Sequence, residues 1–308
     1  MFKNERTFVI MKYAIIGTGG IGGYYGGKLA KAGNEVHFLL HSDYDFVREN
    51  GIQVDSHLGS FHIDNPNIYR KVEEMPKCDA VIVGLKTTNN HLLKYLLPHV
   101  IKEDTVVLLI QNGIGVESDV QKMVPTAQLV AGLGFICTAK IGPGHIDHQF
   151  FGKITMANYS CPNTLQFGRL VDEFRMAGVE TFEVEYQLAR WRKAVWNMPF
   201  NGMSVALNVK TNVLVEEERN RDLIRRQMLE VVGAANALGV SGLTEEFADN
   251  MIAETLTMPP YSPSMKLDYD NHRPMEIYYL YTRPIQMASE MGFDMPLLKH
   301  LEQTLLQK

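Results

Sequence analysis

The arrangement in this 308-residue chain with the plainest chemical meaning is Lys193, Asn197 and Asn201, spaced four residues apart. On a helix, residues four apart share a face, so one ammonium and two amides would form a single polar stripe. Trp191, Val195, Trp196, Met198 and Phe200 surround it, which leaves two readings: a solvated face, or the polar wall of a pocket. A lysine drawn out of water has its pKa lowered from about 10.4, and it can then give or take a proton near neutrality. Pro199 lacks an N–H and is expected to kink the helix between the two asparagines.

A second set is glycine-rich. Gly17, Thr18, Gly19, Gly20, Ile21 and Gly22 spell G-x-G-x-x-G between an apolar run, 13–16, and a helix-compatible stretch that reaches Lys31. The first glycine permits the tight turn, the second lets backbone approach a pyrophosphate, and the third lets the helix pack on the strand. Free N–H groups and the dipole at the helix start favour an anion, so the loop reads as a dinucleotide site. A ribose 2′-hydroxyl usually meets an acid at the end of the second strand. Here that strand, 36–40, ends in His41 and Ser42, which favours a 2′-phosphate and hence NADP over NAD, although Asp43 and Asp45 stand nearby and His41 is only partly charged.

These groups must be held by a scaffold that the rest of the chain can supply. The length implies two domains at roughly 150 residues each. Apolar residues make up 45% and charged residues 21%, which fits globular cores rather than disorder. A net charge of -5 argues against nucleic acid as a partner, and no apolar run approaches the roughly 20 residues of a membrane span. Cys78, Cys137 and Cys161 show no metal-ligand or disulfide spacing, so no metal site is expected and a reducing cytoplasm is the simpler home. His62, His145 and His148 likewise read as surface or turn residues.

Strand candidates at 13–16, 36–40, 80–85 and 105–110 alternate with helices, the pattern of a parallel sheet covered on both faces. Gly142-Pro143-Gly144 is a turn between two segments, 135–140 and 145–156, expected to cap that sheet as antiparallel strands. From Leu188 onward the periodicity is helical, with the longest helix through 191–207. The expected architecture is α/β: a Rossmann-type dinucleotide-binding domain over 11–187, an all-α C-terminal domain over 188–308, and an N-terminal extension, 1–10. The run Tyr278 to Tyr281 reads either as core or as a homodimer face.

Five separated motifs, in order, resemble the ketopantoate reductase family. They are the glycine loop, Lys86 after the strand VIVGLK, Gln111-Asn112-Gly113, the Lys193/Asn197/Asn201 ladder, and Ser264-Met265-Lys266-Leu267-Asp268 followed by Arg273-Pro274-Met275-Glu276-Ile277. The resemblance runs from Met11 to the C-terminus. It implies NADPH-dependent reduction of 2-dehydropantoate to pantoate, on the route to pantothenate and coenzyme A. Lys193 then matches the catalytic lysine that protonates the ketone oxygen, and Glu276 the glutamate that holds substrate and tunes that lysine. Asn197, Asn201, Ser264 and Asn112 match substrate-binding positions. Asn112 and Lys86 match residues beside the nicotinamide, with Gly17 to Gly22 and His41 holding the rest of the cofactor. Two departures stand out: His41 replaces the arginine that the family often carries after the second strand, and the proline falls at Pro199, before Asn201 rather than after it. They keep open a related reductase of another 2-keto or 3-hydroxy acid, and a non-catalytic NADP(H) sensor.

Overall fold

The computed structural model of the chain describes residues 11–308, so the N-terminal extension lies outside the described residues. The chain divides into two compact units. The first comprises the described residues up to Leu85 together with Asn89–Gln111 and Asp119–Glu183; the second comprises Lys86–Thr88, Asn112–Ser118 and Val184–Lys308. The division therefore departs from a single cut at 187/188: two short segments that follow strands of the sheet belong with the C-terminal helices.

The first unit is built on one ten-stranded sheet. Its strands are β1 (Lys12–Ile16), β2 (Glu35–Leu39), β3 (Ile52–Ser56), β4 (Phe61–Ile63), β5 (Asn67–Tyr69), β6 (Ala80–Val83), β7 (Val106–Leu109), β8 (Gln128–Gly142), β9 (His145–Asn158) and β10 (Thr181–Glu183). The spatial order is β4-β3-β9-β8-β7-β6-β1-β2-β5, with β10 against β9. From β5 across to β8 every neighbouring pair is parallel. Such strands are buried on both faces, which explains the unbroken apolar runs AVIV and VVLL, all of whose residues are buried. Helices α1 (Gly20–Lys31), α2 (Tyr44–Asn50), α3 (Leu93–Val100), α4 (Val116–Met123) and α5 (Thr164–Met176) intervene along the chain.

The expected antiparallel cap is instead part of the sheet. β8 pairs with β7 in parallel and with β9 in antiparallel, and β9 goes on to pair with β3. The β8–β9 hairpin follows from the local turn, but the pairings of β8 with β7 and of β9 with β3 join distant stretches of chain and no local pattern encodes them. His148 is a further correction: it is 1% exposed, its Nδ1 lies 2.8 Å from Ser56 Oγ, and its ring stands 4.1 Å from that of Tyr24. Burial lowers its pKa to about 4, so the imidazole is neutral near pH 7 and tolerates the interior.

The second unit is helical: α6 (Tyr186–Leu207), α7 (Thr211–Glu216), α8 (Glu218–Ala237), α9 (Glu245–Leu256), α10 (Ser264–Asp270), α11 (Arg283–Glu290) and α12 (Pro296–Leu306). α6 is central, with Trp191, Val195, Met198, Phe200 and Val205 at the heart of its core. The helix continues through Pro199 to a left-handed Asn208 C-cap, so the expected kink does not end it. Leu280 and Tyr281 are buried whereas Tyr278 is 46% exposed, so the tyrosine run is mainly core. Among the described residues, no helix is long and apolar enough to cross a membrane.

Candidate active site

The glycine loop joins β1 to α1 in the first unit. Gly17 has φ +93°, and a Cβ there would lie 2.6 Å from Leu85 N, so both backbone angle and space demand glycine. A Cβ on Gly22 would lie 2.2 Å from Gly17 O, which explains the close seat of the helix on the loop. Gly19 differs, since a Cβ there would meet nothing within 4 Å. Protein packing does not require that glycine; an approaching ligand would. The N-terminus of α1 carries no side-chain cap and no acid in its first turn, leaving its dipole and N–H groups to an anion. Thr18 Oγ1 donates to Leu39 O at 3.1 Å and ties the loop to the end of β2. These features fit a dinucleotide pyrophosphate. Gly22→Ala is expected to push α1 off the loop, destabilise the protein by about 1–3 kcal/mol and weaken nucleotide binding. Thermal melts and nucleotide titration check both effects.

The polar stripe lies in the second unit and does line a group of buried polar residues. Asn197 is 8% exposed and Asn201 is 2% exposed, which excludes the solvated-face reading for both. Asn197 Nδ2 donates to Asn112 Oδ1 at 3.3 Å. Asn201 Nδ2 donates to Asn197 O at 2.9 Å, and its Oδ1 accepts from Met265 N at 3.0 Å and Ser264 Oγ at 3.5 Å. Asn201 thus braces its amide on its own helix through Nδ2 and binds the first turn of α10 to α6 through Oδ1, holding Ser264 in place. Lys193 is half-buried. Burial, and then the neighbouring guanidinium of Arg190, lower its pKa to about 7, against the opposing pull of the Glu276 carboxylate.

Glu276 is 5% exposed and lies just before a π-helical turn, Tyr278–Thr282. Its Oε1 accepts from Thr87 N and from Thr87 Oγ1, each at 2.8 Å, and its Oε2 lies 3.4 Å from Lys86 Nζ. Lys86 Nζ also donates to Asp268 Oδ2 at 2.7 Å, and Arg273 Nε to Asp268 Oδ1 at 3.0 Å. Burial opposes the charge on Lys86, but Glu276 and Asp268 outweigh it and hold its pKa above the ordinary lysine value. The structure thereby brings Lys86 to two carboxylates.

The geometry combines a neutral-range lysine, a buried carboxylate and amide donors with a separate anion cradle. The family model described as ketopantoate reductase PanE/ApbA matches residues 13–160, and its C-terminal counterpart matches residues 185–308.

The chain belongs to the ketopantoate reductase family.

It is 42% identical over 299 residues to a protein named 2-dehydropantoate 2-reductase from Nostoc sp., covering 95% of this chain and 92% of that one. Among solved structures, it is similar to 2-dehydropantoate 2-reductase from Geobacter metallireducens GS-15, at 34% identity and TM-score 0.93, covering 96% and 99% of the two chains. The same fold occurs in D-mandelate dehydrogenase, solved as a ternary structure with NADH and anilino(oxo)acetate, at 22% identity and TM-score 0.86, covering 96% and 97%. Membership of this oxidoreductase family accounts for the five motifs together.

Three members of the site have no role in the motif reading. Thr87 and Asp268 adjoin or lie within the quoted motifs, so their positions were visible but their partners were not. Glu117 offered no local signal. It is 0% exposed and receives Tyr186 Oη at 2.7 Å and the Arg190 guanidinium, binding the segment that carries Asn112 to α6. Breaking such a buried pair costs about 3–5 kcal/mol.

Proposed function

We propose that this chain catalyses NADPH-dependent reduction of 2-dehydropantoate to pantoate, the step that supplies pantoate for pantothenate and coenzyme A. The observation that carries the reading is Lys193, a lysine with a pKa of about 7 on the same helix as two buried asparagines. Residues 11–187 would form the NADP-binding domain and 188–308, with the Lys86 and Asn112 segments, the substrate-binding one. The relationship to the Nostoc protein supports the choice of keto acid.

NADPH, when bound, supplies the hydride that reduces the carbonyl carbon. The chain's own residues manage the oxygen. Reduction places negative charge there, so the Lys193 ammonium and the Asn197 amide stabilise the transition state more than the ground state. Lys193 Nζ then gives its proton to that oxygen as general acid. Glu276 keeps a negative charge near the lysine and favours its protonated form. Ser264, positioned by the Met265 N–H bond to Asn201, would turn its hydroxyl from Asn201 Oδ1 to the substrate carboxylate, and Asn112 anchors the Asn197 side chain. Gly17, Thr18, Gly19, Gly20, Ile21 and Gly22 would hold the pyrophosphate, and the family resemblance assigns Lys86 and Asn112 to the nicotinamide end.

The test is loss of NADPH absorbance on mixing the purified chain with 2-dehydropantoate, with NADH and a panel of other keto acids in parallel. Rapid oxidation specific to that pair is expected; comparable turnover of an unrelated keto acid would transfer the activity to that acid. The pH profile adds a mechanistic check. The acid must carry its proton, so kcat/KM for reduction is level below about 7 and falls by about tenfold per unit above it, while the reverse oxidation rises with pH. A reduction rate flat from pH 6 to 9 would remove Lys193 from the acid role.

A further inference from the structure

The end of β2 presents a cation that lies far from it in the sequence. β5 runs parallel to β2 with Leu39 level with Tyr69, and Leu40 N donates to Tyr69 O at 2.9 Å. Arg70 therefore leaves the sheet beside Leu40, His41 and Ser42. It is exposed, its guanidinium lies 4.4 Å over the Tyr44 ring, and it pairs with the exposed Asp45. Through Thr18 and Leu39, the same strand end is hydrogen-bonded to the glycine loop.

The acids of this corner are otherwise engaged. Asp43 is 6% exposed and accepts two hydrogen bonds from Lys140 Nζ, at 2.8 and 2.9 Å, one from Gly144 N at 3.1 Å and one from Ser42 Oγ at 2.9 Å. It is a structural carboxylate that clamps the β8–β9 turn and has no oxygen left for a ribose hydroxyl. Asp45 is engaged by Arg70 and, at 3.5 Å, by Arg48 one helical turn on. What remains exposed at the strand end is His41, Ser42 and a guanidinium whose planar fork matches a phosphate.

We propose that Arg70 recognises the 2′-phosphate of the dinucleotide, exchanging its pair with Asp45 for the phosphate, and so sets the preference for phosphate over hydroxyl that His41 alone would leave weak. Asp45 holds the guanidinium ready against Tyr44, and the strand pairing of β5 delivers it. This assignment rests on the glycine loop being a dinucleotide site.

The experiment is titration of the full chain with NADPH, NADH and 2′,5′-ADP, a probe that carries the phosphate without the nicotinamide. Wild type is expected to bind NADPH more tightly than NADH. Arg70→Ala should weaken NADPH and 2′,5′-ADP by about 10–100-fold and leave NADH within about twofold, the scale of one charge-assisted contact. Asp45→Asn, which frees the guanidinium, should tighten 2′,5′-ADP. Arg70→Lys should recover part of the loss, because a point charge replaces a bidentate fork. Equal weakening of NADPH and NADH in Arg70→Ala, unchanged binding of 2′,5′-ADP, or a wild-type preference for NADH would each overturn the assignment. Failure of wild type to bind any of the three would instead overturn the dinucleotide site on which it rests.

Discussion

Lys193→Ala is expected to lower kcat for ketone reduction by roughly 10²–10⁴-fold, the range for removal of a positioned general acid. The loss is in the chemical step, because the hydride reaches a carbonyl whose oxygen no longer has a cation or proton beside it. Binding of NADPH should persist, since the glycine loop and Arg70 belong to the other compact unit. Stability should not fall, and the sign follows from the pKa. Burial and Arg190 lower the folded-state value from 10.5 to about 7, so folding disfavours the charged lysine. That penalty is full below about pH 7 and fades as pH rises toward 10.5; removing the amine therefore stabilises the fold most at low pH. Steady-state kinetics with a thermal melt at pH 6 checks the pair of statements. A variant that loses activity together with its melting transition would point to a structural lysine, and a variant that retains kcat would end the acid assignment. A non-catalytic NADP(H) sensor would also keep its nucleotide response unchanged in this variant.

Glu276→Gln is expected to reduce kcat/KM by about 10²-fold and to move the acid limb of the pH profile below about 7. The carboxylate raises the lysine's pKa against burial and Arg190, so neutralising it leaves a smaller protonated fraction at pH 7.5. Glutamine is close in shape, and one oxygen can still accept from Thr87. Lys86 then depends on Asp268 alone. Glu276→Ala goes further and strands the buried Thr87 donors, at about 1–3 kcal/mol for an unsatisfied group. The pH profile of the glutamine variant separates the two influences. A limb that stays near 7 with a reduced kcat/KM would mean that Glu276 acts by contact with substrate rather than through the lysine.

The second compact unit shows why a motif reading reaches a site only in part. Lys193, Asn197 and Asn201 share a face because of helix pitch, a property of a few residues in a row. Whether that face meets water or protein depends on α8, α10 and the Asn112 segment, which lie far away in sequence. The alternatives for the stripe were therefore open until packing buried Asn197 and Asn201. Asn201 shows a second limit: its amide is legible as polar, but its use in tying α10 to α6 is a contact across 64 residues. Lys86 was legible as a lysine after a strand; its partners Asp268 and Glu276 stand 182 and 190 positions away.

Local chemistry was therefore readable from the chain alone wherever neighbours in sequence are neighbours in space. The glycine loop, the parallel strands with their apolar runs, the helical C-terminal half and the polar stripe on α6 are of this kind, and each follows from backbone geometry or side-chain period; the five ordered motifs were legible by resemblance to a family. Pairings between distant segments were decided by the folded chain. The β8–β9 hairpin joins the sheet rather than capping it, His148 is buried against Tyr24, Arg70 reaches the end of β2 through β5, and Glu117 anchors Arg190 near Lys193. The physical reason is that desolvation and charge pairing set a group's acidity and reach, and both depend on what long-range packing brings within a few ångströms of it. A lysine in a sequence has an ordinary pKa; only its surroundings bring Lys193 to neutrality.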